Sequence, residues 1–272
     1  MSERLDVALV GRGLVPSRTK AKRLIESAGV LVNGRPVTSV STRVTESDRV
    51  EVTVPDSDVG RGAVKLRAAL TAFPVPVEGC IAADIGASTG GFTQALLEAG
   101  ATRVVALDVG HGQLDPRLLG DPRVINREGV HAAHLSSVWW QENGLPTPVS
   151  VVVVDVSFIS VLKIVEPLVE TFGVHSHYVF LVKPQFEVGR AGIDRGVVKD
   201  VRMREEALER VVTLLGDRGL VVHGVIDSPI AGESGNVEYL VHAGGDPQGF
   251  SDRIGESGVM PDAKPRDGRS VE

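Results

Sequence analysis

The stretch Asp84-Ile85-Gly86-Ala87-Ser88-Thr89-Gly90-Gly91-Phe92 decides the fold. An apolar run, Cys80 to Ala83, precedes it, and residues 93–97 continue it with the pattern of a helix start. A strand, a turn of small residues and a helix N-terminus together form a cradle for a polar ligand. Glycines in the turn permit positive φ and let a ligand approach the backbone closely. The stretch therefore predicts a ligand-binding strand–turn–helix unit.

The glycine spacing favours one ligand class over another. A dinucleotide-binding fingerprint requires G-x-G-x-x-G, whereas the order here is G-A-S-T-G-G, so the second glycine is missing. The pattern D-x-G-x-x-x-G-G instead resembles the S-adenosyl-L-methionine loop of class I methyltransferases. A second predicted strand ends at Asp108, about 20 residues further on, where a carboxylate can meet ribose hydroxyls. The resemblance implies that the cofactor is S-adenosyl-L-methionine and that it is bound by Asp84, Gly86, Ala87, Ser88, Thr89, Gly90, Gly91, Phe92, Asp108 and Val109.

Composition limits the class of protein. The chain has 272 residues, 42% of them hydrophobic and 4% aromatic, which predicts a core of Val, Ile, Leu and Ala. A single cysteine, Cys80, excludes a disulfide framework. The N-terminus has no signal-peptide pattern, and no apolar run approaches the roughly 18 residues that span a bilayer. We therefore expect a cytoplasmic protein without membrane insertion.

Residues 61–243 read as one α/β domain. Strands and helices alternate, which predicts a largely parallel sheet covered on both faces. The short connection between the last two strands predicts that they are antiparallel. The pattern resembles the seven-stranded, Rossmann-like sheet of class I methyltransferases. The predicted strands are 80–84, 103–107, 123–126, 149–154, 178–182, 220–226 and 237–242, and the predicted helices are 92–99, 114–119, 158–172 and 202–217. No metal site is predicted, and the polar residues 244–272 are expected to be a disordered tail.

Residues 1–54 read as a separate small α+β module, joined by a linker at 55–60. The whole chain has a net charge of −6, yet residues 1–35 carry seven Lys or Arg against three acids. A helix over residues 17–27, which Ser17 can cap, has a basic face, and Asn33-Gly34 predicts a hairpin. A charge run alone is more often a solvated face. The order of motifs resembles the S4-type RNA-binding domain, which implies RNA contacts from Arg4, Arg18, Lys20, Lys22, Arg23 and Arg35.

Four charged residues are predicted at the ligand edge of the sheet. Asp155 follows the run Val151–Val154, Lys183 follows Val179–Val182, Glu238 precedes the last strand and Lys65 lies just upstream of the first. Each alone is readily explained as a strand end that meets water. Together they can drive methyl transfer to a hydroxyl, because a lysine whose charged form is disfavoured can accept the hydroxyl proton.

These residues match the Lys-Asp-Lys-Glu tetrad of the FtsJ-like ribose 2′-O-methyltransferases. Together with the S4-like module, the segments D-V-S-F-I-S, V-K-P-Q-F-E-V-G and S-G-N-V-E-Y resemble the TlyA family, whose members are called hemolysin A or 16S/23S rRNA (cytidine-2′-O)-methyltransferases. The resemblance implies ribosomal RNA as partner and Lys183 as general base, oriented by Asp155 and Glu238, with Lys65 tuning charge. The linker lacks the Trp common in that family.

Three alternatives remain at this point. A ribosome-assembly factor could keep the fold without turnover, although retention of all four tetrad residues argues against it. A hemolysin-like, membrane-active protein is disfavoured because no long amphipathic helix with an apolar face is found. A small-molecule O-methyltransferase would leave the N-terminal module unexplained.

Overall fold

Short strands and two helices make up the N-terminal module. A computed structural model describes residues 2–15, 17–26, 29–53, 58–189, 193–232 and 235–244, with only the backbone at Arg23. Except for Gly244, the predicted tail lies outside these ranges. The module contains β1 (Ser2–Arg4), α1 (Leu5–Gly11), α2 (Arg18–Glu26), β2 (Val30–Val32), β3 (Arg35–Pro36), β4 (Arg43–Thr45) and β5 (Val50–Val52).

The local signals in this module act as predicted. The hydroxyl of Ser17 accepts a hydrogen bond from the Lys20 amide at 3.2 Å, so Ser17 caps α2. Asn33 and Gly34 both have positive φ, at 52° and 76°, as a tight β2–β3 hairpin requires. Strand β2 pairs with β3 and β5, while β1 pairs with β4. The sequence did not predict β1 or β4, which are three residues long and largely polar.

The chain from residue 58 onward alternates strands and helices. All seven predicted strands are confirmed within two residues at each end. Helices α6 and α8 were not predicted. The elements are α3 (Gly62–Ala72), β6 (Ile81–Ile85), α4 (Gly91–Glu98), β7 (Arg103–Asp108), α5 (Pro116–Leu119), β8 (Val124–Glu128), α6 (Ser137–Glu142), β9 (Val151–Val154), α7 (Val165–Phe172), β10 (His177–Val182), α8 (Pro184–Glu187), α9 (Val201–Asp217), β11 (Val222–Asp227) and β12 (Tyr239–Gly244).

These strands form one sheet in the order β11-β12-β10-β9-β6-β7-β8. Strand β12 runs antiparallel to both β10 and β11, and the remaining pairs are parallel. Strand β9 shows why the sheet is buried on both faces. Val151 and Val153 join the core cluster under α3 and α4, whereas Val152 and Val154 join the cluster under α7 and α9. Because successive side chains of a strand point to opposite faces of the sheet, every residue of this apolar run is buried against one of the two helical layers.

One helix is shorter than predicted. The sequence predicted a helix over 158–172, but the α-helix covers only Val165–Phe172, after a 3₁₀ turn at Val161–Lys163. Phe158 has a φ of 64°, in the left-handed region that a helix cannot contain. Ser160 accepts a hydrogen bond from the Leu162 amide at 3.1 Å and starts the 3₁₀ turn. Residues 158–160 therefore belong to the loop after β9.

Candidate active site

The fold brings the four predicted tetrad residues to one edge of the sheet. Asp155 and Lys183 directly follow the parallel strands β9 and β10, so both lie at the carboxyl edge. Glu238 directly precedes β12, and because β12 is antiparallel its beginning lies at that same edge. Lys65 projects from α3. All four line one cavity of about 540 Å³.

The tetrad is arranged as two buried ion pairs. Lys65 Nζ lies 2.5 Å from Glu238 Oε2, and Lys183 Nζ lies 2.7 Å from Asp155 Oδ1. The Lys183 ammonium also donates to the hydroxyl of Ser157 at 2.8 Å. Glu238 was expected to orient Lys183; in the structure its carboxylate is paired with Lys65. The β12 register places Glu238 opposite α3, which sequence spacing alone does not reveal.

Burial and charge act against each other at Asp155. Burial alone would raise the pKa of Asp155, but the ammonium groups of Lys183 and Lys65 outweigh it and hold that pKa below its ordinary value. The carboxylate therefore stays ionised between two lysines. Its side chain keeps 22% of its surface exposed, against 2% for Glu238. The Lys183–Asp155 pair is the more accessible of the two.

The glycine-rich turn passes close to this site. Gly86 has a φ of 87°, and a Cβ added there would lie 2.4 Å from the backbone oxygen of Asp155. A Cβ on Gly91 would lie 2.8 Å from the backbone nitrogen of Ala63 in α3. Only glycine permits these two approaches. The turn is consequently packed between the loop after β9 and the beginning of α3.

The predicted cofactor residues divide into two groups. Asp108 accepts hydrogen bonds from the amides of Ser88 and Gly110, at 2.8 and 2.7 Å. Its carboxylate thereby ties the glycine-rich turn to the end of β7. Gly90 lies against Leu118 of α5, and Val109 is exposed. Of the residues predicted to bind the cofactor, those that line the cavity are Gly86, Ala87, Ser88, Thr89, Gly91 and Phe92, whereas Asp84, Gly90, Asp108 and Val109 do not.

Asp84 is directed away from the cavity. It lies inside β6, and its side chain faces α4, where the Thr93 hydroxyl donates to Oδ2 at 2.6 Å. The other oxygen, Oδ1, has no hydrogen-bond partner within the described ranges. Burial raises the pKa of Asp84 to about 7. The predicted strand ended at Asp84, whereas β6 continues through Ile85, so the side-chain direction was missed.

Sequence reasoning missed several residues that border the cavity. Arg61, Ser157, Gln185 and Phe186 line it, as does Glu26 from α2 of the N-terminal module. Ser157 lies two residues after Asp155, and Gln185 lies two residues after Lys183. This closeness to the tetrad in sequence is the one signal that could have identified them as cavity residues. Phe158, next to Ser157, is 89% exposed and its ring lies 5.5 Å from that of Phe186.

Comparison with known families agrees with this geometry. Residues 59–245 match the model of the FtsJ-like methyltransferases, and residues 3–50 match the S4 domain. The chain belongs to the FtsJ-like methyltransferase family. The predicted fold class is confirmed, because the sheet has the seven-stranded class I methyltransferase order and an S4 domain precedes it.

Relatives of this FtsJ-like methyltransferase carry the names that the resemblance suggested. Hemolysin A of Brachyspira hyodysenteriae is 39% identical over 240 residues, covering 88% of this chain and 98% of the relative. The 16S/23S rRNA (cytidine-2′-O)-methyltransferase TlyA of Mycobacterium tuberculosis is 42% identical over 242 residues, covering 88% of both chains. A solved structure of a candidate hemolysin from Streptococcus thermophilus superposes with a TM-score of 0.70 at 36% identity, covering 90% of this chain and 89% of the other.

The basic residues of the S4 domain are used in two ways. Arg4 and Arg18 both pair with the buried carboxylate of Asp6, at 2.9 and 2.7 Å. Lys20 Nζ donates to the backbone oxygen of Asp58 at 2.7 Å, between the two parts of the chain. Lys22 and Arg35 are exposed, and Lys22 lies 3.7 Å from Glu26. The side chain of Arg23 lies outside the described part of the chain.

The end of the predicted linker, from Asp58 onward, is tightly packed. The Asp58 carboxylate is fully buried and accepts two hydrogen bonds of 2.7 Å from Arg67 of α3. Val64 of α3 packs against the core of the S4 domain.

No helix among the described residues of this FtsJ-like methyltransferase is both long and apolar enough to cross a membrane.

Proposed function

We propose that the chain transfers a methyl group from S-adenosyl-L-methionine to the ribose 2′-hydroxyl of ribosomal RNA, with cytidine as the target nucleoside. The observation that carries the proposal is the pair of lysine–carboxylate contacts, Lys183–Asp155 and Lys65–Glu238, in one cavity beside the glycine-rich turn. The name of the M. tuberculosis relative, a 16S/23S rRNA (cytidine-2′-O)-methyltransferase, supports the choice of RNA and nucleoside.

The residues at the turn fit the proposed cofactor. Six residues of the turn line the cavity, and the absence of a Cβ on Gly86 and Gly91 lets the turn pack closely against the backbone of Asp155 and Ala63 beside it. We propose that Gly86, Ala87, Ser88, Thr89, Gly91 and Phe92 hold S-adenosyl-L-methionine, with Asp84, Gly90, Asp108 and Val109 supporting the turn from behind or at its edge. When bound, the cofactor supplies an electrophilic methyl group on a sulfonium.

In this proposal Lys183 is the general base. A neutral Lys183 amine accepts the ribose 2′-hydroxyl proton, so that an O–H bond breaks and an N–H bond forms. Asp155 stabilises the ammonium that results, and Ser157 fixes its direction. The Lys65 ammonium, held by Glu238, lies close enough to Asp155 to help lower the pKa of that carboxyl and keep it ionised beside Lys183.

We further propose that residues 1–54 recruit the RNA, that 55–60 connect the two parts and that 61–243 carry out methyl transfer. Glu26 lines the catalytic cavity, so the N-terminal module borders the place where an acceptor must enter. We propose contacts with RNA phosphates from Arg4, Arg18, Lys20, Lys22, Arg23 and Arg35. We also propose a cytoplasmic location, because the proposed substrate is ribosomal RNA.

The test is a transfer assay with purified chain, S-adenosyl-L-methionine labelled on its methyl group, and ribosomal subunits that lack the modification. After nuclease digestion, the label is expected in 2′-O-methylcytidine. Label on a base, or on no nucleotide, would reject the proposal. Binding of S-adenosylhomocysteine without transfer to any subunit would favour an assembly factor that lacks turnover.

A further inference from the structure

The position of the Lys183 amine depends on two separate chain segments. One is the loop 156–160 after β9, which carries Ser157 and Phe158; the other is α8, which follows Lys183 and carries Phe186. The ammonium bridges them, because it contacts Ser157 at 2.8 Å and lies 5.9 Å from the centre of the Phe186 ring. A shift of either segment would therefore change the direction in which the amine points.

The backbone does not hold these segments together. Pairing between β9 and β10 ends at Val154 and Phe180. Between residues 156–160 and 184–187, all of which are described, no backbone hydrogen bond is formed. Phe158 is exposed and has a φ of 64°, a conformation that persists in a bulky residue only where its surroundings impose it. The loop needs another restraint.

Glu187, the last residue of α8, provides that restraint. The Ser160 hydroxyl donates to its Oε2, and the Val161 amide donates to Oε1 at 2.8 Å, so both carboxylate oxygens bind the end of the loop. The backbone oxygen of Glu187 accepts from Arg210 of α9 at 2.9 Å, which anchors α8 in turn. Burial raises the pKa of this carboxyl against the opposing effect of these two donors. Nothing in the proposed chemistry uses Glu187.

We propose that Glu187 is a positioning residue for methyl transfer. Its carboxylate holds the loop with Ser157 and Phe158 against the helix with Phe186, and thereby fixes the Lys183 amine relative to the acceptor hydroxyl. The proposal rests on the proposed function for its effect on rate, but its structural part is independent of that function. Glu187 touches neither reacting atom and acts through Ser160 and Val161.

The test compares Glu187→Ala with Glu187→Gln, and uses Glu142→Ala, an exposed carboxylate on α6, as control. Since a misplacement near 1 Å can cost about 100-fold, we expect Glu187→Ala to lower kcat by roughly 10- to 100-fold. The KM for ribosomal subunits and the Kd for S-adenosylhomocysteine should stay within about threefold, because the phosphate and cofactor contacts are untouched. Glutamine can still accept from Val161 and donate to Ser160, so Glu187→Gln should recover most of kcat.

Amide hydrogen exchange of the peptide spanning 156–162 tests the restraint without any assay of activity. Faster exchange in Glu187→Ala, but not in Glu187→Gln or Glu142→Ala, is expected. Unchanged exchange in Glu187→Ala overturns the proposal, as does faster exchange with unchanged kcat. If Glu187→Ala does not fold, Ser160→Ala replaces it. This variant removes only one of the two hydrogen bonds to Glu187, and its kcat and its exchange over 156–162 test the proposal in the same way. A wild-type chain that methylates no ribose rejects the proposed function, while the exchange result still decides whether Glu187 holds the loop.

Discussion

Charged side chains are paired differently in the catalytic cavity and in the S4 domain. In the cavity, both partners of each pair are largely buried: 8% and 2% of the side-chain surface is exposed for Lys65 and Glu238, and 10% and 22% for Lys183 and Asp155. In the S4 domain, Asp6 is buried, but Arg4 and Arg18 keep 47% and 64% of their side-chain surface exposed.

The difference teaches what each region can tolerate. A buried pair that loses one partner leaves an uncompensated charge in a medium of low polarity, so both folding and chemistry suffer. An exposed arginine that loses its partner is solvated again and stays available to an RNA phosphate. We therefore expect cavity substitutions to act on rate and stability, and S4-domain substitutions to act on affinity and its salt dependence.

The largest effect is expected for Lys183→Ala. Removal of a general base typically costs about 100- to 10,000-fold, so initial rates of methyl transfer to ribosomal subunits should fall by about 1,000-fold or more. The Kd for S-adenosylhomocysteine should change little, because Lys183 is separate from the glycine-rich turn. The matched control is Lys199→Ala, which removes an exposed lysine paired with Asp194 outside the cavity. A Lys183→Ala rate within tenfold of wild type would exclude Lys183 as the base.

The next effect is on stability and concerns Glu238→Ala. Breaking one side of a buried pair costs about 3–5 kcal/mol, because the Lys65 ammonium is left without its carboxylate. Urea unfolding should show this loss, whereas Asp194→Ala in the exposed Lys199 pair should cost no more than about 1 kcal/mol. A double variant, Lys65→Met with Glu238→Leu, should regain stability but not activity. Equal losses for Glu238→Ala and Asp194→Ala would contradict the contrast between buried and exposed pairs.

The sheet was predictable because its signals are local and strong. Three apolar runs, Val151–Val154 and those before Asp108 and Lys183, are longer than an exposed loop would contain, so they predict buried strands. Because helices alternate with these strands, the strands are predicted to be parallel. The strands β1 and β4 were not predictable, since each is three residues long and their pairing joins segments about 40 residues apart. Phe158 was placed in a helix because its positive φ follows from tertiary contacts and leaves no mark on periodicity.

The four tetrad residues were predictable, but their pairing was not. Lys65 and Glu238 are separated by 173 positions, and only the antiparallel placement of β12 brings them together. Asp84 was expected at the end of its strand, but β6 continues through Ile85, so Asp84 is held inside the strand with its side chain on the α4 face. Glu187 carries no sequence signal of its role, since its partners Ser160 and Val161 become neighbours only through the β9–β10 pairing.

A smaller effect is expected at Asp6, and it depends on pH. A hydrogen bond from Arg4 is the largest cause that holds the pKa of Asp6 at about 2; burial opposes it and Arg18 adds to it. Because the folded-state pKa is lowered, this stabilisation is present above the unfolded value near 4 and is lost as pH falls through about 2. Urea unfolding should show Asp6→Asn about 1 kcal/mol less stable than wild type at pH 6, with the gap closing towards pH 2.5. The control Asp217→Asn, at an exposed carboxylate of α9, should change stability at pH 6 by no more than about 0.5 kcal/mol.

The smallest effect on the fold is expected for Arg35→Ala, and Arg12→Ala is its contrasting control. Arg35 is exposed and, among the described residues, forms no ion pair, whereas Arg12 donates to the backbone oxygens of Asp48 and Thr45 at 2.8 and 2.7 Å. Arg35→Ala should leave unfolding unchanged and reduce the slope of log affinity for ribosomal subunits against log salt by about 1, as expected for one lost phosphate contact. Arg12→Ala should instead lower stability by about 1 kcal/mol, because two part-buried acceptors lose a charged donor. If Arg35→Ala changes neither affinity nor salt slope, β3 does not face the RNA, and the binding surface must be sought on the exposed side of α2 around Lys22.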